Sequence, residues 1–398
     1  MPNPSGRAVD MPRSALPAAV VLNLQYTGLG IARSLKGQEI PVIGLMSSPR
    51  QCGEFSRFCS ARSSPSSRTN PQELLAYLLD LGAQVGKGAV LLPTSDSDVL
   101  FIAKHREALG TYYAVPLPGA DVVDTVMDKA KLCRKAQECG VPVPKTSLCQ
   151  DLEAVRAAGR NVVYPCVVKP AYSYIWHQSN NWSIVGGCKA IKVWSPRELE
   201  ESYLRVSRAD KTVLVQEFVA GADNQIFVAG VYICQNGDLA VGFTARKLLQ
   251  YPQETGTGVV VESIRNPEVL SLATRLLQHL GYRGIAEVEF KRDPANGIYH
   301  LIEINPRFWD QHRLGAVCGV NLSYMAYRDL TGHGLSPVCG QEEGIYWVSA
   351  RGLFRCLAGA LFKRRTTSGL SVLWRLALGG KEWAVFSWDD PRPALSGC

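Results

Sequence analysis

The sequence lacks several patterns that define common classes of protein. No stretch of about 18 consecutive apolar residues occurs, so we expect no membrane-spanning helix. Residues 1–13 are polar and proline-rich and have no apolar core typical of a secretory signal peptide. No internal repeat or low-complexity tract is present. These absences favour a globular cytoplasmic protein of two or three domains, which 398 residues of 46% hydrophobic content can support.

Closely spaced cysteine pairs are also lacking. The 12 cysteines include no CxxC pair, and their spacing is irregular. Zinc-binding modules need such pairs, so the sequence offers no argument for a zinc site. Cys166 and Cys234 lie in apolar runs, where a thiol behaves as a small hydrophobe. We expect reduced cysteines, as is usual in the cytoplasm.

The charge of the chain is positive overall but carries no nucleic-acid-binding motif. A net charge of +8 favours anionic ligands, whereas a nucleic-acid partner would need a clustered basic face or a known motif, and we expect none. The one dense cluster is Lys363-Arg364-Arg365, which follows a stretch of helical apolar spacing from Arg351. A basic amphipathic helix there could touch a membrane or an acidic partner. The commoner alternative is a packed helix with a solvated basic side.

The N-terminal part has the pattern of a βαβ unit. An apolar strand at residues 18–24 leads through a Thr-Gly-Leu-Gly turn at 27–30 into a helix, and a second strand follows at 41–45. The glycines would let an anion approach the start of the helix. The full G-x-G-x-x-G pattern is absent, so a nicotinamide dinucleotide site is weakly supported. After a further strand, residues 94–98 are either part of a ligand site or the cap of a helix.

A hairpin near residue 300 carries the densest set of candidate site residues. Two strands flank a turn at residues 294–297, so they should lie antiparallel. Glu303 and Asn305 are two residues apart and leave the same face, which Glu289 can reach from the first strand. Arg307 continues the same alternation. Carboxylate and amide oxygens beside a guanidinium suit Mg²⁺ carrying a polyphosphate.

A solvated strand face is the alternative explanation of this hairpin. Charged side chains on a half-exposed strand need no function. We expect that explanation to hold for Glu287 and Lys291, and not for Glu289, Glu303 and Asn305.

Several motifs in the same order resemble those of ATP-grasp enzymes. They are Asp128-Lys129, Gly140-Val-Pro-Val-Pro144, Val168-Lys169-Pro170, Gln216-Glu-Phe-Val-Ala-Gly221, and Glu289 followed by Glu303-x-Asn305-Pro. The resemblance covers roughly residues 18–335. Within the superfamily the chain looks most like carboxylate–amine ligases related to D-aspartate ligase. That branch is suggested by Thr244-Ala-Arg-Lys247 and by Phe386-Ser-Trp-Asp-Asp-Pro391.

The resemblance implies an α/β fold of the α+β ATP-grasp type. After a disordered tail at residues 1–15, we expect a Rossmann-like domain over residues 16–120. A two-lobed ATP-grasp domain should then span residues 121–335, with lobes at 121–215 and 216–335. Residues 336–398 should form a C-terminal helical extension. These boundaries are expectations from the order of the motifs.

The resemblance also implies roles for individual residues, with ATP and Mg²⁺, or Mn²⁺ in its place, as cofactors. Nucleotide binding falls to Lys129 and Lys169 at the phosphates, to Glu217, Phe218 and Val219 at the adenine, and to Asp223 at the ribose. The metal ligands are Glu289, Glu303 and Asn305. Transferred phosphate and acyl phosphate are held by Arg307, Arg246 and Lys247. With less support, Asp310 would bind an amine and Arg313 a substrate carboxylate.

One segment departs from the family pattern. Many relatives close the site with a short glycine-rich loop after the second lysine, whereas residues 171–187 are long and aromatic here. We call residues 171–187 the aromatic segment. It contains Trp176, His177 and Trp182, and a lid of this kind suggests a particular substrate. His177 is a conceivable base, although a lone histidine in a loop is more often simply exposed.

The reaction implied is ATP-dependent joining of a carboxylate to an amine. An acyl phosphate would form, and the products would be an amide, ADP and phosphate, from amino-acid-like substrates. Three alternatives are left open: a carboxylase that forms carboxyphosphate from bicarbonate, a nicotinamide-dependent oxidoreductase, and a non-catalytic nucleotide-binding protein. We expect no stable membrane insertion, and we leave a homodimer open.

Overall fold

The computed structural model describes residues 16–395 apart from residues 255, 336, 337, 339 and 363–366. The predicted tail at residues 1–15 and the basic cluster Lys363-Arg364-Arg365 therefore lie outside the described residues. Among the helices that are described, none is long and apolar enough to cross a bilayer.

The N-terminal part is a parallel five-stranded sheet of order β3-β2-β1-β4-β5. The strands are β1 (Ala19–Leu22), β2 (Val42–Met46), β3 (Ser60–Ser63), β4 (Ala89–Leu92) and β5 (Tyr113–Ala114). The helices are α1 (Tyr26–Ser34), α2 (Pro71–Val85), α3 (Asp96–Lys104), α4 (Arg106–Leu109) and α5 (Ala120–Met127). Every residue of β1, β2 and β4 is buried, as expected for parallel strands covered on both faces.

A small antiparallel sheet of order β6-β9-β7-β8 follows. Its strands are β6 (Thr146–Cys149), β7 (Cys166–Pro170), β8 (Ile191–Val193) and β9 (Val213–Glu217). The helices of this part are α6 (Lys129–Glu138), α7 (Leu152–Asn161), α8 (Ser173–Trp176), α9 (Ser179–Ile184) and α10 (Pro196–Val206). The aromatic segment thus carries two short helices, and Trp176 is fully buried in the core of this lobe.

The largest sheet has seven strands in the order β14-β13-β10-β11-β12-β15-β16. They are β10 (Ile226–Ile233), β11 (Leu239–Tyr251), β12 (Thr257–Ser263), β13 (Gly284–Arg292), β14 (Tyr299–Asn305), β15 (Ile345–Val348) and β16 (Gly380–Trp383). Only the β15–β16 pair is parallel. The helices are α11 (Pro267–His279), α12 (Arg313–Val317), α13 (Leu322–Leu330), α14 (Ala350–Phe362), α15 (Thr367–Leu378) and α16 (Arg392–Leu395).

The predicted α/β fold class is confirmed, with two corrections to the boundaries. β9 runs to Glu217, so the expected division between lobes at residues 215 and 216 would cut a strand. The C-terminal extension is not only helical, because β15 and β16 complete the large sheet. Both strands are only four residues long, and the helical spacing of the intervening residues dominates the sequence pattern.

α14 fits the interpretation of a packed helix with a solvated basic side. Leu353 and Cys356 pack on a cluster formed with β11 and β12. Arg351 and Arg355 on the same helix are exposed. The apolar side of the helix is therefore used to cover the large sheet.

The segment after β16 is tied to the N-terminal domain by a buried ion pair. The Asp390 carboxylate accepts hydrogen bonds from Arg33 Nε at 3.0 Å, from Ser56 Oγ at 2.7 Å and from the Arg57 N–H at 3.0 Å. Both side chains of the Arg33–Asp390 pair are only 1% exposed. The neighbouring Lys36–Asp389 pair is about 40% exposed, with side-chain values of 41% and 42%.

We predict that Asp390→Asn strongly destabilises the protein. The substitution leaves the Arg33 charge buried without a counter-ion, which typically costs about 3–5 kcal/mol. The matched control is Asp389→Asn, which removes an exposed pair worth less than about 1 kcal/mol. Urea denaturation of the three proteins measures both effects. Equal, small losses for the two variants would contradict the structural role given to Asp390.

Candidate active site

One cavity of about 760 Å³ lies between the large sheet, the small sheet and the N-terminal domain. The predicted site residues that line it are Lys129, Lys169, Glu217, Phe218, Val219, Lys247, Glu289, Glu303, Asn305 and Arg307. Arg246 and Asp223 are not among the lining residues. Residues distant in the sequence therefore converge on one concave site.

The β13–β14 hairpin supplies four oxygen-bearing side chains from one face. Glu287 lies directly opposite Asn305, and Glu289 lies directly opposite Glu303. Directly paired residues share a face and have Cβ atoms about 4.5–5.5 Å apart. Asn305 Nδ2 donates to a Glu287 carboxylate oxygen at 2.8 Å. Three carboxylates and one amide thus form a compact square on the sheet.

The expectation that Glu287 and Lys291 are solvated is wrong. Glu287 is 3% exposed and Lys291 is 7% exposed, and both line the cavity. They alternate with buried apolar residues on β13 and so share the face of Glu289. The alternation of side chains along the strand already predicts that Glu287, Glu289 and Lys291 share a face. The burial of that face by the neighbouring domains does not follow from the sequence.

Cations neutralise the acidic groups of the cavity pair by pair. Lys247 Nζ lies 2.7 Å from Glu289, Lys129 Nζ lies 3.1 Å from Glu303, and Arg307 Nε lies 2.6 Å from Asp96. In the described part of the chain no three acidic, histidine or cysteine side chains already converge as metal ligands. Binding a divalent cation and a polyphosphate would therefore exchange partners, with carboxylates turning to the metal and cations to the phosphates.

The donor chemistry of the hairpin fits a divalent cation. Carboxylate and amide oxygens are the ligands that Mg²⁺ prefers. Burial, together with the adjacent charge of Glu289, raises the pKa of Glu287 to about 8. Burial would also raise the pKa of Glu303, but Lys129 outweighs it and the pKa is lowered. A cation held among these oxygens would relieve the repulsion between Glu287 and Glu289.

Two lysines face the cavity from the side of the small sheet. Lys169 lies at the end of β7, is 6% exposed and forms no ion pair within the described residues. Burial, followed by the charge of Lys129, lowers the pKa of Lys169 to about 8. A polyanion between the two ammonium groups would remove this repulsion and restore the charge. Lys189, which no sequence pattern singled out, also lines the cavity.

The segment after β9 forms the far end of the cavity. Glu217, Phe218 and Val219 line it, and the hydrogen bonds of the described residues include none from the Val219 N–H. Lys192 and Lys291 place their ammonium groups 3.8 and 4.7 Å from the centre of the Phe218 ring. A backbone with a free N–H donor could bind the edge of a base, and this role of the segment stays a prediction.

The predicted ribose contact of Asp223 does not fit the structure. Its carboxylate accepts hydrogen bonds from the Gln250 N–H at 3.1 Å, from Gln250 Nε2 at 2.9 Å and from the Glu254 N–H at 3.2 Å. Asp223 therefore holds the turn between β11 and β12, in line with its short side chain and position after Gly221. Gln250 and Glu254 themselves line the cavity.

The predicted phosphate contact of Arg246 does not fit the structure either. Neighbouring residues of a strand point to opposite faces, so Arg246 cannot share the face of Lys247. Its guanidinium instead pairs with Glu262 at 2.5 Å, and Glu262 also contacts Arg375 at 3.2 Å. Arg313 is likewise turned away from the cavity, because it is buried against Glu382.

The N-terminal domain closes one side of the cavity through the start of α3. Ser95 caps the helix in a reciprocal arrangement with Asp98, and Asp96 reaches Arg307. Burial pushes the pKa of Asp96 upward, but Arg307 outweighs it, so the pKa is lowered. Residues 94–98 thus serve both as a helix cap and as part of the site, so the two interpretations of the sequence hold together.

The start of α1 is occupied by the protein itself. A Cβ on Gly30 would lie 2.8 Å from a ring carbon of His312, and one on Gly28 would lie 1.9 Å from the Asn23 carbonyl oxygen. Thr27 Oγ1 donates to Asp310 at 2.7 Å. Gly30 therefore allows close packing against the segment after β14, whereas Gly28 allows close approach of the loop after β1. The packing at Gly30 disfavours a dinucleotide at α1.

The aromatic segment contributes His177 to the cavity. Its ring packs on Trp182 with centroids 5.1 Å apart, and its carbonyl accepts from Arg68 Nη2 at 2.8 Å. Burial lowers the pKa of His177. The segment therefore joins the small sheet to the N-terminal domain across the cavity.

Comparison with known proteins identifies the class of this fold. Residues 237–349 match the family model described as "ATP-grasp in the biosynthetic pathway with Ter operon". The chain is 16% identical to a biotin carboxylase from Campylobacter jejuni crystallised with an ATP analogue, with a TM-score of 0.66 over 83% of this chain and 74% of that one. Residues 237–349 therefore match an ATP-grasp family model, and the chain shares its fold with this solved structure, in line with the resemblance of the ordered motifs.

Two curated relatives are somewhat higher in identity but match a smaller share of the chain. The chain is 23% identical to D-aspartate ligase of Enterococcus faecium over 250 residues, which are 61% of this chain and 59% of the relative. It is 26% identical to the carbamoyl phosphate synthase large chain of Archaeoglobus fulgidus over 235 residues, 54% of this chain and 20% of the relative. The chain thus spans less than two thirds of each of these relatives.

We predict that Glu287 makes stability depend on pH. A carboxyl group whose pKa rises on folding, here from 4.5 to about 8, stabilises the fold fully below its unfolded pKa. That stability is lost as the pH rises through the folded pKa, at up to about 1.4 kcal/mol per pH unit. Urea denaturation between about pH 5 and pH 8 should show this slope, and Glu287→Gln should reduce it.

The matched control for this experiment is Glu153→Gln, which changes an exposed carboxylate outside the cavity. Its pH slope should equal that of the unmodified protein. If Glu287→Gln and Glu153→Gln give the same slope, the raised pKa of Glu287 is refuted.

Proposed function

We propose that the protein is an ATP-dependent carboxylate–amine ligase that works through an acyl phosphate and releases ADP and phosphate. The observation that carries this proposal is the convergence of Lys129, Lys169, Lys247 and Arg307 with the oxygens of the β13–β14 hairpin in one cavity. Clustered cations suit a polyphosphate, and clustered hard oxygens suit its metal ion. The substrates we infer are small and amino-acid-like.

ATP is proposed to lie from the segment after β9 to the hairpin. The backbone of Glu217 and Val219 would contact the adenine, with Phe218 against the base. Lys129 and Lys169 would hold the phosphates as point charges. Glu254, which lines the cavity beside Lys291, replaces Asp223 as our candidate for the ribose hydroxyls.

Glu289, Glu303 and Asn305 would hold Mg²⁺ or Mn²⁺, and Glu287 supports them through Asn305. The bound metal supplies charge neutralisation for the transferred phosphate. Arg307 and Lys247 are free to contact phosphate oxygens once Asp96 and Glu289 turn to other partners. The protein's contribution is to align the groups and to stabilise the developing charge in a buried site.

The amine side of the reaction is supported by two further carboxylates. Asp96 and Asp310 line the cavity next to Arg307 and are not part of the metal set. An ammonium group would find its counter-charge there. After it loses a proton to one of these carboxylates, its nitrogen forms the C–N bond, the acyl C–O bond breaks, and phosphate leaves with the electron pair. The nitrogen then releases its second proton.

The comparisons favour two chemistries for such a site. The D-aspartate ligase relative supports joining a carboxylate to an amine, whereas the carboxylase and carbamoyl phosphate synthase relatives support a second candidate that phosphorylates bicarbonate. The extent of the cavity and the two carboxylates beside Arg307 favour the ligase, because bicarbonate needs little room and no counter-ion for an ammonium.

We predict that ATP turnover yields ADP and phosphate and that hydroxylamine traps the acyl phosphate as a hydroxamate. Glu303→Gln should reduce this turnover at least about 10²-fold, because the metal and its phosphate lose a charged partner. Chromatography of the nucleotides measures ADP formation by the unmodified protein and by the variant, with amino acids tested one by one as the carboxylate substrate. Production of AMP and pyrophosphate would contradict the acyl-phosphate route. Bicarbonate-dependent ADP release with no acid added would favour the second candidate.

We predict that Lys247→Met and Arg246→Met have very different effects on kcat, although the two residues are adjacent. Lys247 faces the cavity, so its loss should lower kcat on the order of 10²-fold. Arg246 faces away, so its variant should keep kcat within about twofold and lose only stability. Steady-state kinetics at saturating ATP and thermal unfolding separate the two effects. A larger loss of kcat for Arg246→Met would reverse the assignment.

A further inference from the structure

The outer side of α15 carries apolar side chains that face solvent. The helix packs through the buried Val372 and Leu376 on an apolar cluster with β11, β12 and β15. Four other apolar residues of the same helix are exposed, and we call them the α15 face: Leu373, Trp374, Ala377 and Leu378. They form two pairs at a spacing of four residues, so they make one continuous strip. A helix that is apolar on both sides and packs on only one leaves apolar surface uncovered.

α14 adds a further exposed aromatic ring. This helix contacts α15 and packs on the same cluster through Leu353 and Cys356. Phe354 points away from the cluster and is 72% exposed, as is Trp374 on α15. Single exposed apolar residues are common on proteins, whereas several large ones on adjacent helices mark an interaction surface.

The surroundings of the α15 face are basic. Between Gly344 and Lys381 the sequence has seven lysines and arginines and no aspartate or glutamate. Arg351 and Arg355 of α14 are exposed. Arg375 of α15 contacts Glu262 at 3.2 Å, but this carboxylate already pairs with a second arginine, so it cannot neutralise both cations. An anionic partner would therefore find both charge complementarity and an apolar strip here.

The α15 face lies on the side of the large sheet that is turned away from the active-site cavity. Arg375 reaches Glu262 there, and Glu262 is the partner of Arg246, whose side chain points away from the cavity. None of the residues of α14 and α15 that the structure describes lines the cavity. A large, flat partner could therefore cover the α15 face and leave the cavity open.

We propose that the α15 face docks on a membrane surface that carries anionic lipids. α15 lies in the plane of the membrane, with Trp374 and Leu378 at the boundary of the acyl chains and Arg351 and Arg355 among the headgroups. Such a surface offers an apolar layer beneath anionic headgroups, which matches both the strip and the cations around it. Tryptophan is favoured at this boundary because its ring is amphipathic. The proposal is independent of the ligase chemistry.

A second copy of the chain fits the α15 face less well. In a symmetric dimer the same patch of each protomer meets its counterpart, so the basic residues would face one another. Like charges across an interface oppose association, and the sequence between Gly344 and Lys381 has no carboxylate to offset them. The charge of this region therefore favours an anionic partner.

Co-sedimentation of the full chain with lipid vesicles tests the proposal. The two vesicle types are phosphatidylcholine alone and an equimolar mixture of phosphatidylcholine and phosphatidylserine. The protein should bind the mixed vesicles at least about tenfold more tightly, because several arginines lie near the anionic surface. Raising the ionic strength should weaken this binding, because salt screens the attraction.

Two variants separate the apolar from the electrostatic contribution. Trp374→Ser should weaken binding to the mixed vesicles about tenfold or more, because a large apolar side chain no longer leaves water. Its control is Trp388→Ser, which changes a tryptophan that is 90% exposed but lies beside Asp389 and Asp390. This control should bind like the unmodified protein.

The double variant Arg351→Gln with Arg355→Gln should also weaken binding to the mixed vesicles about tenfold or more. Its control is Arg205→Gln with Arg208→Gln, which removes the same charge from exposed positions of the small-sheet lobe. All substituted side chains are exposed, so the midpoint of thermal unfolding should stay the same in every variant.

Quenching of tryptophan fluorescence by lipids brominated on their acyl chains shows whether the α15 face enters the membrane. The unmodified protein should be quenched on mixed vesicles, and Trp374→Phe should lose most of this quenching while it still binds. Equal binding to both vesicle types, or equal binding by Trp374→Ser and Trp388→Ser, would overturn the proposal. It would also be overturned if the protein ignores vesicles and forms dimers that Trp374→Ser dissociates, because the partner would then be a second copy.

Discussion

The register between β13 and β14 is the constraint on which the site depends. It sets Glu287 opposite Asn305 and Glu289 opposite Glu303, all on one face of the large sheet. A slip of one residue would turn the whole set away from the cavity, because strand side chains alternate between faces. The register is held by the apolar partners on the other face, including Val288 and Ile304, which pack in a buried cluster with α11.

Placing so many charges in one cavity requires that they compensate one another. Lys247 with Glu289, Lys129 with Glu303 and Arg307 with Asp96 form a nearly neutral set without ligands. An uncompensated buried charge would cost several kcal/mol. Glu287 and Lys169 are two buried groups that have no ion pair within the described residues, and burial shifts the pKa of each to about 8. The carboxylates at the hairpin therefore favour binding of a cation, and the lysines beside the small sheet favour binding of a polyanion.

The three parts of the chain are joined at the same place. Asp96 brings the N-terminal domain to Arg307, and Arg68 brings it to the aromatic segment. The Arg33–Asp390 pair fastens the C-terminal segment to α1, whose start packs on the segment after β14. The walls of the cavity are thus held by long-range contacts, and its shape along α3 follows from how the N-terminal domain meets the aromatic segment.

Local patterns predicted the elements that carry the site. Alternation and the turn at residues 294–297 predicted the hairpin. The resemblance of the motifs around Lys129 and Lys169 to those of ATP-grasp enzymes singled out both lysines. Arg246 was misassigned together with Lys247, although the alternation of side chains along a strand puts these two neighbours on opposite faces. Asp223 was misjudged because a short acidic side chain after a glycine suits a turn as well as a ligand contact.

The sequence by itself determined the fold class and the hairpin, because periodicity and turn chemistry are local properties, and the order of its motifs singled out the main charged groups through their resemblance to ATP-grasp enzymes. Only the tertiary structure decided that Glu287 is buried, that Asp96 meets Arg307 from 211 residues away, and that β15 and β16 complete the large sheet. The physical reason is that burial and ion pairing depend on which distant surfaces come together. No local sequence pattern predicts which distant surfaces will come into contact.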